Sequence, residues 1–161
     1  MRSVAVCPLG MALEASDIPK TIRSLGWEPR AIDDRTWRVT LDTSVGIVRI
    51  VVRYAGAWLY LSIIPFFEPK SIEQWGGGKY PIGFLGRLLA VNRNLNMVKF
   101  ALDDDGDVVL KSELPTENLQ ASELSAALVQ LQKTTDQYRQ PVREALLDAG
   151  RAAANASANP T

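Results

Sequence analysis

Two segments of the sequence carry residue types that could bind phosphate or a metal ion. The first is the run Gly76–Lys79, a candidate phosphate loop. Such a loop needs a further glycine where Glu73 stands and a Ser or Thr where Tyr80 stands, so that a hydroxyl can hold magnesium. Neither requirement is met, and a flexible connector is the better interpretation of this run.

The second segment is the aspartate-rich stretch Asp103–Asp107, which suggests calcium. If Gly106 takes the glycine position of an EF-hand loop, Ala101 falls at the first ligand position and Ser112 at the bidentate glutamate position. Both are unsuitable ligands. Because the stretch lies between two alternating apolar runs, a β-hairpin turn is the better interpretation.

Composition removes most catalytic chemistry. The sequence contains no histidine and a single cysteine, Cys7, so Ser–His and Cys–His pairs, His-ligated metals, internal disulfides and thiolate metal cages are excluded. Asp33, Asp34 and Glu113 offer carboxylates, but no spacing pairs them as an acid and a base. The sequence therefore predicts no catalytic residues, no metal site and no cofactor.

Length and charge bound the class of protein. The chain has 161 residues, of which 47% are hydrophobic and 22% charged, and this profile is typical of one soluble globular domain. Eighteen basic residues balance eighteen acidic ones, so no net field attracts nucleic acid. No stretch approaches the roughly 20 apolar residues of a membrane span. We expect a cytoplasmic protein without nucleic-acid partners.

Hydrophobic periodicity predicts an α+β fold. A short helix with cap residues Ser16 and Asp17 precedes three alternating runs between Thr36 and Ile64, which predict an antiparallel meander. Helical spacing then marks residues 84–95, alternation marks a hairpin over 98–114, and a helical stripe begins at Leu124. The predicted order is α-β-β-β-α-β-β-α, an antiparallel sheet with helices.

The ends of the chain are predicted to lie outside this domain. Residues 1–15 form a weakly patterned lead-in, residues 16–147 a single domain, and residues 148–161 a disordered tail of small and polar residues. Pro141 lies within the last helical stripe, and it predicts a kink or an end of the helix there.

Several aromatic side chains are candidates for a binding surface. Trp58 and Tyr60 alternate with Leu59 and Leu61, so they lie on the opposite sheet face, either as an interface or as part of an internal core. Aromatic residues are favoured at protein interfaces. The predicted partner-binding or dimer surface comprises Trp58, Tyr60, Trp75, Tyr80 and Phe84.

The segment from Leu85 to Tyr138 resembles the YbjN-like family, whose fold is that of the type III secretion chaperones. The matching motifs are the Leu-Leu-x-x-Asn helix ending at Asn92, the Lys-Phe-Ala-Leu-Asp strand from Lys99, the Asp-Gly hairpin at Gly106, the Glu-Leu-Pro exit at Pro115 and the helix with Asp-x-Tyr at Tyr138. The resemblance spans about residues 16–140. It implies a compact domain that commonly dimerises, with a chaperone-like role and no established catalytic residues.

Two functional hypotheses follow. The first is a non-enzymatic protein-binding module, chaperone-like or regulatory, which acts as a homodimer and holds a protein or peptide segment by strand addition or groove packing. The alternative is a small-ligand-binding protein or an enzyme whose site is assembled from distant polar residues. An enclosed pocket with convergent charged groups would favour the second hypothesis.

Overall fold

The structure is a computed structural model, and it describes residues 13–67 and 80–158. The described part is α+β, with three α-helices and one six-stranded antiparallel sheet, which confirms the predicted fold class. The elements are α1 (Ile18–Ser24), β1 (Arg30–Ala31), β2 (Thr36–Thr43), β3 (Gly46–Ala55), β4 (Trp58–Ile63), α2 (Ile82–Asn92), β5 (Lys99–Leu102), β6 (Val108–Pro115) and α3 (Ala121–Ala158).

The sheet order is β1-β2-β3-β4-β6-β5. Strands β2, β3 and β4 form the predicted meander, in which Val39 lies opposite Ile50 and Val52 lies opposite Leu61. Strand β6 returns beside β4, and β5 then forms the edge of the sheet. Glycine is favoured at the β3–β4 turn, because Gly56 has a φ of 67°, where a side chain is disfavoured.

One face of the sheet carries the hydrophobic core. Alternate residues of β2, β3 and β4 point to this face and are buried, as the period-two pattern predicts. Helix α3 contacts β2, β4 and β6 on this side and also contacts α1 and α2. The helix contributes the buried residues Leu124, Ala127, Leu128, Leu131, Val142 and Leu146.

Strand β1 was not predicted from the sequence. Its residues Arg30 and Ala31 pair with Arg38 and Trp37, and together they extend the sheet by one short edge strand. A strand of two residues shows no period in the sequence, so only the pairing reveals it.

The end of the last helix differs from the prediction. Helix α3 runs through Pro141, and it remains helical to Ala158 where a tail disordered from residue 148 was expected. The apolar stripe continues beyond the proline at Val142 and Leu146, both buried, while the later alanines have the highest helix propensity. The lead-in prediction for residues 1–15 lies largely outside the described residues.

Candidate partner-binding surface

The second face of the sheet, here called the outer face, points away from α1, α2 and α3. Strand alternation assigns residues to it because their sequence neighbours are buried in the core. The helix–strand contacts among the described residues leave this face without a covering helix. The outer face includes Arg30, Arg38, Asp42, Arg49, Val51, Arg53, Trp58, Tyr60, Ser62, Lys99, Val109, Lys111 and Glu113.

Trp58 and Tyr60 lie on the outer face rather than in the core. Their neighbours Leu59 and Leu61 are fully buried, whereas Trp58 is 44% exposed and Tyr60 is half-buried. Neither side chain is part of the core cluster formed by the described residues. A large exposed indole on a sheet face is typical of a contact surface.

An open groove of about 450 Å³ runs across the outer face beside Tyr60. Four apolar side chains line it, and of these Ile64 and Leu102 are 46% and 47% exposed. Its polar lining includes carboxylates as well as cations. The lining residues are Val51, Arg53, Tyr60, Ser62, Ile64, Leu102, Asp103, Asp104, Val109, Lys111 and Glu113.

The remaining predicted surface residues lie elsewhere. Phe84 is fully buried at the start of α2, so it belongs to the core and not to a surface. Tyr80 is half-buried and packs on Phe84, with 5.4 Å between ring centroids, and its hydroxyl oxygen accepts a hydrogen bond from the Val108 N–H at 3.3 Å. Burial raises the pKa of Tyr80 above its ordinary value. Trp75 lies outside the described residues.

Two charged contacts order the groove lining. The Arg53 guanidinium lies over the Tyr60 ring, 5.2 Å from its centroid, as in a cation–π pair. Lys111 Nζ lies 2.6 Å from Glu113 Oε1, two residues along the same strand face. Because these contacts are exposed, each contributes little to the stability of the fold. Their effect is to orient the charged groups of Arg53, Lys111 and Glu113 in the groove lining.

The outer face also carries an arginine cluster that sequence reasoning missed. Arg38 lies directly opposite Val51, and Val51 is flanked on its own strand by Arg49 and Arg53. Arg30 of β1 lies opposite Arg38. The alternation of β3 alone places Arg49 and Arg53 on one face, but Arg30 and Arg38 join them only through strand register.

The aspartate-rich segment serves as a turn. The Asp103 carboxylate accepts the N–H groups of Asp105 and Asp107 at 3.1 and 2.8 Å, and Gly106 has a φ of 85°. Asp33 behaves similarly before β2, where the Arg35 N–H bonds its carboxylate and lowers its pKa. Within residues 13–67 and 80–158 no cluster of three potential metal ligands occurs. The hairpin interpretation of Asp103–Asp107 is confirmed.

Residues 81–144 match the YbjN family model, described as a "putative bacterial sensory transduction regulator". The sequence resemblance to YbjN is thereby confirmed. The YbjN match covers α2, β5, β6 and the first part of α3, the elements that carry the matching motifs. No curated protein sequence matches the chain.

Solved structures share the fold over most of the chain. A chain of the heterodimeric ExoU–SpcU complex from the type III secretion system of Pseudomonas aeruginosa is 22% identical with a TM-score of 0.53, covering 78% of this chain and 96% of its own. A chain of the ExsC–ExsE complex is 16% identical with a TM-score of 0.53, covering 78% and 93%.

A third similar structure is an uncharacterized protein from Methanothermobacter thermautotrophicus, 12% identical with a TM-score of 0.54, covering 83% of this chain and 99% of its own. At these identities the likeness concerns the fold alone. The type III secretion chaperone-like fold that the YbjN resemblance implies is therefore confirmed. No helix of the described residues combines the length and the apolar character needed to cross a membrane.

Proposed function

We propose that this chain is a non-enzymatic protein-binding module, chaperone-like or regulatory, that acts as a cytoplasmic homodimer and holds a partner segment on its outer face. The observation that carries the proposal is a sheet face without a covering helix, on which Trp58 is exposed and Tyr60, two residues further along the same strand face, lines an open groove. Aromatic side chains in such settings supply much of the affinity of protein interfaces.

The comparisons support this proposal. Chains of the same fold occur in complexes with partner proteins, ExoU–SpcU and ExsC–ExsE. The description of the YbjN family as a transduction regulator supports the regulatory version of the same role. The groove is not an enclosed cavity, and such an open shape suits a polypeptide segment better than a small ligand.

At the β5 edge of the sheet, the structure favours groove packing over strand addition. Both main-chain polar groups of Phe100 in the edge strand β5 are bonded by the side chain of Asn92. A partner strand adding to β5 would need those groups for its own hydrogen bonds. The outer face, by contrast, presents side chains that are open to contact.

The experiment is quantitative capture of partner proteins from the native host by the double variant W58A/Y60A. Removal of two interface aromatics should reduce capture about tenfold or more, while the free energy of unfolding changes by only about 1 kcal/mol, because neither side chain lies in the core. The matched control is Met97→Ala, since Met97 is also 44% exposed but lies between α2 and β5.

Equal loss of capture in W58A/Y60A and M97A would contradict the proposal, as would loss of folding in the double variant. Light scattering tests the homodimer separately. A mass near twice 17.7 kDa supports a homodimer, and a mass of 17.7 kDa at working concentration contradicts it.

A further inference from the structure

The charges of the outer face are unevenly distributed even though the whole chain is neutral. On the β1–β2–β3 side Arg30, Arg38, Arg49 and Arg53 all belong to this face, and they share it with the carboxylate of Asp42 near the end of β2. No described carboxylate lies within 4.0 Å of any of the four guanidinium groups. Lys99 and Lys111, the other cations of this face, both have partners within the fold.

Lys99 and Lys111 are directly opposite each other in β5 and β6, yet both ammonium groups are bonded within the fold. Lys99 Nζ donates to the carbonyl oxygens of Asn92 and Leu95 at the end of α2, and Lys111 bonds Glu113. Such bonds compensate a cation within the folded chain. On the other side Arg53 lies over the Tyr60 ring, whereas the Arg30, Arg38 and Arg49 side chains have neither a hydrogen bond nor an ion pair among the described residues.

The arginine arrangement is unfavourable for the isolated chain. Like charges directly opposite each other in a sheet destabilise it, and Arg30 and Arg38 are such a pair. Arg49 and Arg53 lie diagonal to Arg38 around Val51, within reach of long side chains. An anionic group placed over Val51 would be within reach of the Arg38 and Arg49 side chains, and of Arg53 when its guanidinium turns away from the Tyr60 ring, and each could bind a carboxylate in bidentate geometry.

Apolar and acidic side chains complete the pattern toward β6. Val51, Ile64 and Val109 give the groove an apolar lining. Beyond them stand carboxylates, those of Asp103, Asp104 and Glu113. A continuous polyphosphate lying along the groove would meet these carboxylates and be repelled, whereas a peptide can present acidic residues to one side only.

We propose that the outer face binds a partner segment that combines acidic and apolar residues, with its carboxylates over Arg38, Arg49 and Arg53 and an apolar side chain in the groove beside Val51. This inference rests on the proposed protein-binding function and names the chemistry of the segment. Charge complementarity of this kind sets which partner is selected and how fast it associates.

Selection from a library of random dodecapeptides displayed on phage tests the inference. The full chain should enrich peptides with Asp or Glu next to apolar residues, and the triple variant R38Q/R49Q/R53Q should lose that enrichment. Fluorescence anisotropy of the most enriched peptide should then show each single arginine variant binding roughly 2- to 5-fold more weakly, and the triple variant about tenfold or more. Arg87→Gln on α2 is the matched control.

A stability measurement separates a binding role from a structural one. Because Arg38 faces Arg30, Arg38→Gln should leave the urea midpoint of unfolding unchanged or raise it, although the same substitution weakens binding of the peptide. A structural role would lower both. Added salt should weaken the wild-type complex and leave that of the triple variant nearly unchanged.

Three results would overturn the inference: selected peptides without acidic enrichment, equal weakening by R87Q, or tighter binding of random single-stranded DNA than of the selected peptide. Tighter binding of single-stranded DNA would show that the arginine cluster binds nucleic acid. If W58A/Y60A no longer binds the host partner while R38Q/R49Q/R53Q still binds it, the proposal of an acidic partner segment is wrong, whereas the proposed protein-binding function is supported.

Discussion

Asn92 bonds Phe100 through both ends of its side-chain amide. Asn92 Nδ2 donates to the Phe100 carbonyl oxygen at 2.9 Å, and Asn92 Oδ1 accepts the Phe100 N–H at 2.7 Å. The end of helix α2 thus takes the place that a neighbouring strand would have beside β5. An edge strand with unpaired groups invites pairing with other chains, and this contact prevents it at Phe100.

Replacement of Asn92 should therefore cost stability. Asn92→Ala leaves two partly buried main-chain groups without partners, and we expect the free energy of unfolding to fall by about 1–3 kcal/mol. Urea denaturation measures the change. Asn94→Ala, at an exposed position two residues later, is the control and should change the midpoint little. Equal effects of the two substitutions would show that the Asn92 amide does not bond β5.

A second side chain ties the β2–β3 turn to the long helix. Asp136 Oδ1 accepts hydrogen bonds from the Ser44 N–H at 2.5 Å and from the Ser44 hydroxyl at 2.8 Å. Asp136→Ala should destabilise the fold by about 1 kcal/mol, whereas Asp136→Asn keeps an acceptor oxygen and should cost less. Hydrogen exchange of the Ser44 amide would report the contact directly. Unchanged exchange in Asp136→Ala would contradict it.

The path of α3 beyond Pro141 is tested by two adjacent leucines. Leu146 is 1% exposed, while Leu147 is only half-buried. Leu146→Ala should lower the free energy of unfolding by about 2–5 kcal/mol, and Leu147→Ala by clearly less, since only the first leaves a cavity in the core. A helix that ended at Pro141 would make the two substitutions equivalent in urea denaturation.

Tyr80 should make stability depend on pH at the alkaline end. Burial raises the pKa of Tyr80 in the folded chain above that in the unfolded chain. Above about pH 10 the unfolded chain releases this proton first, so the free energy of unfolding falls as pH rises through the folded pKa. Tyr80→Phe should show a smaller alkaline loss in urea denaturation. An identical loss in both proteins would contradict the burial of the phenol.

Much of this fold is predictable because its periods are long and regular. The alternation of Val48, Ile50 and Val52 specifies the core face of β3, and the Leu124–Leu128–Leu131 stripe specifies that of α3. Strand β1 and the extension of α3 could not be predicted from hydrophobic periodicity. Two residues carry no period, and an alanine-rich segment offers little apolar area, so helix formation there depends on propensity.

The candidate surface is only partly predictable from sequence. Alternation separates Trp58 from Leu59, but which of the two faces is covered depends on where α3 packs. Phe84 shares a helical stripe with Leu88, a signal for the core that its aromatic character obscured. The arginine cluster requires strand register, because Arg38 and Arg53 are distant in sequence and the neutral net charge conceals them.

Photocrosslinking from the outer face tests the central claim most directly. Benzoylphenylalanine introduced in place of Trp58 in the native host should give a covalent adduct with a partner protein, and the same group in place of the equally exposed Met97 should give little. Adducts of equal yield from both positions, or adducts from Met97 alone, would contradict partner binding on the outer face.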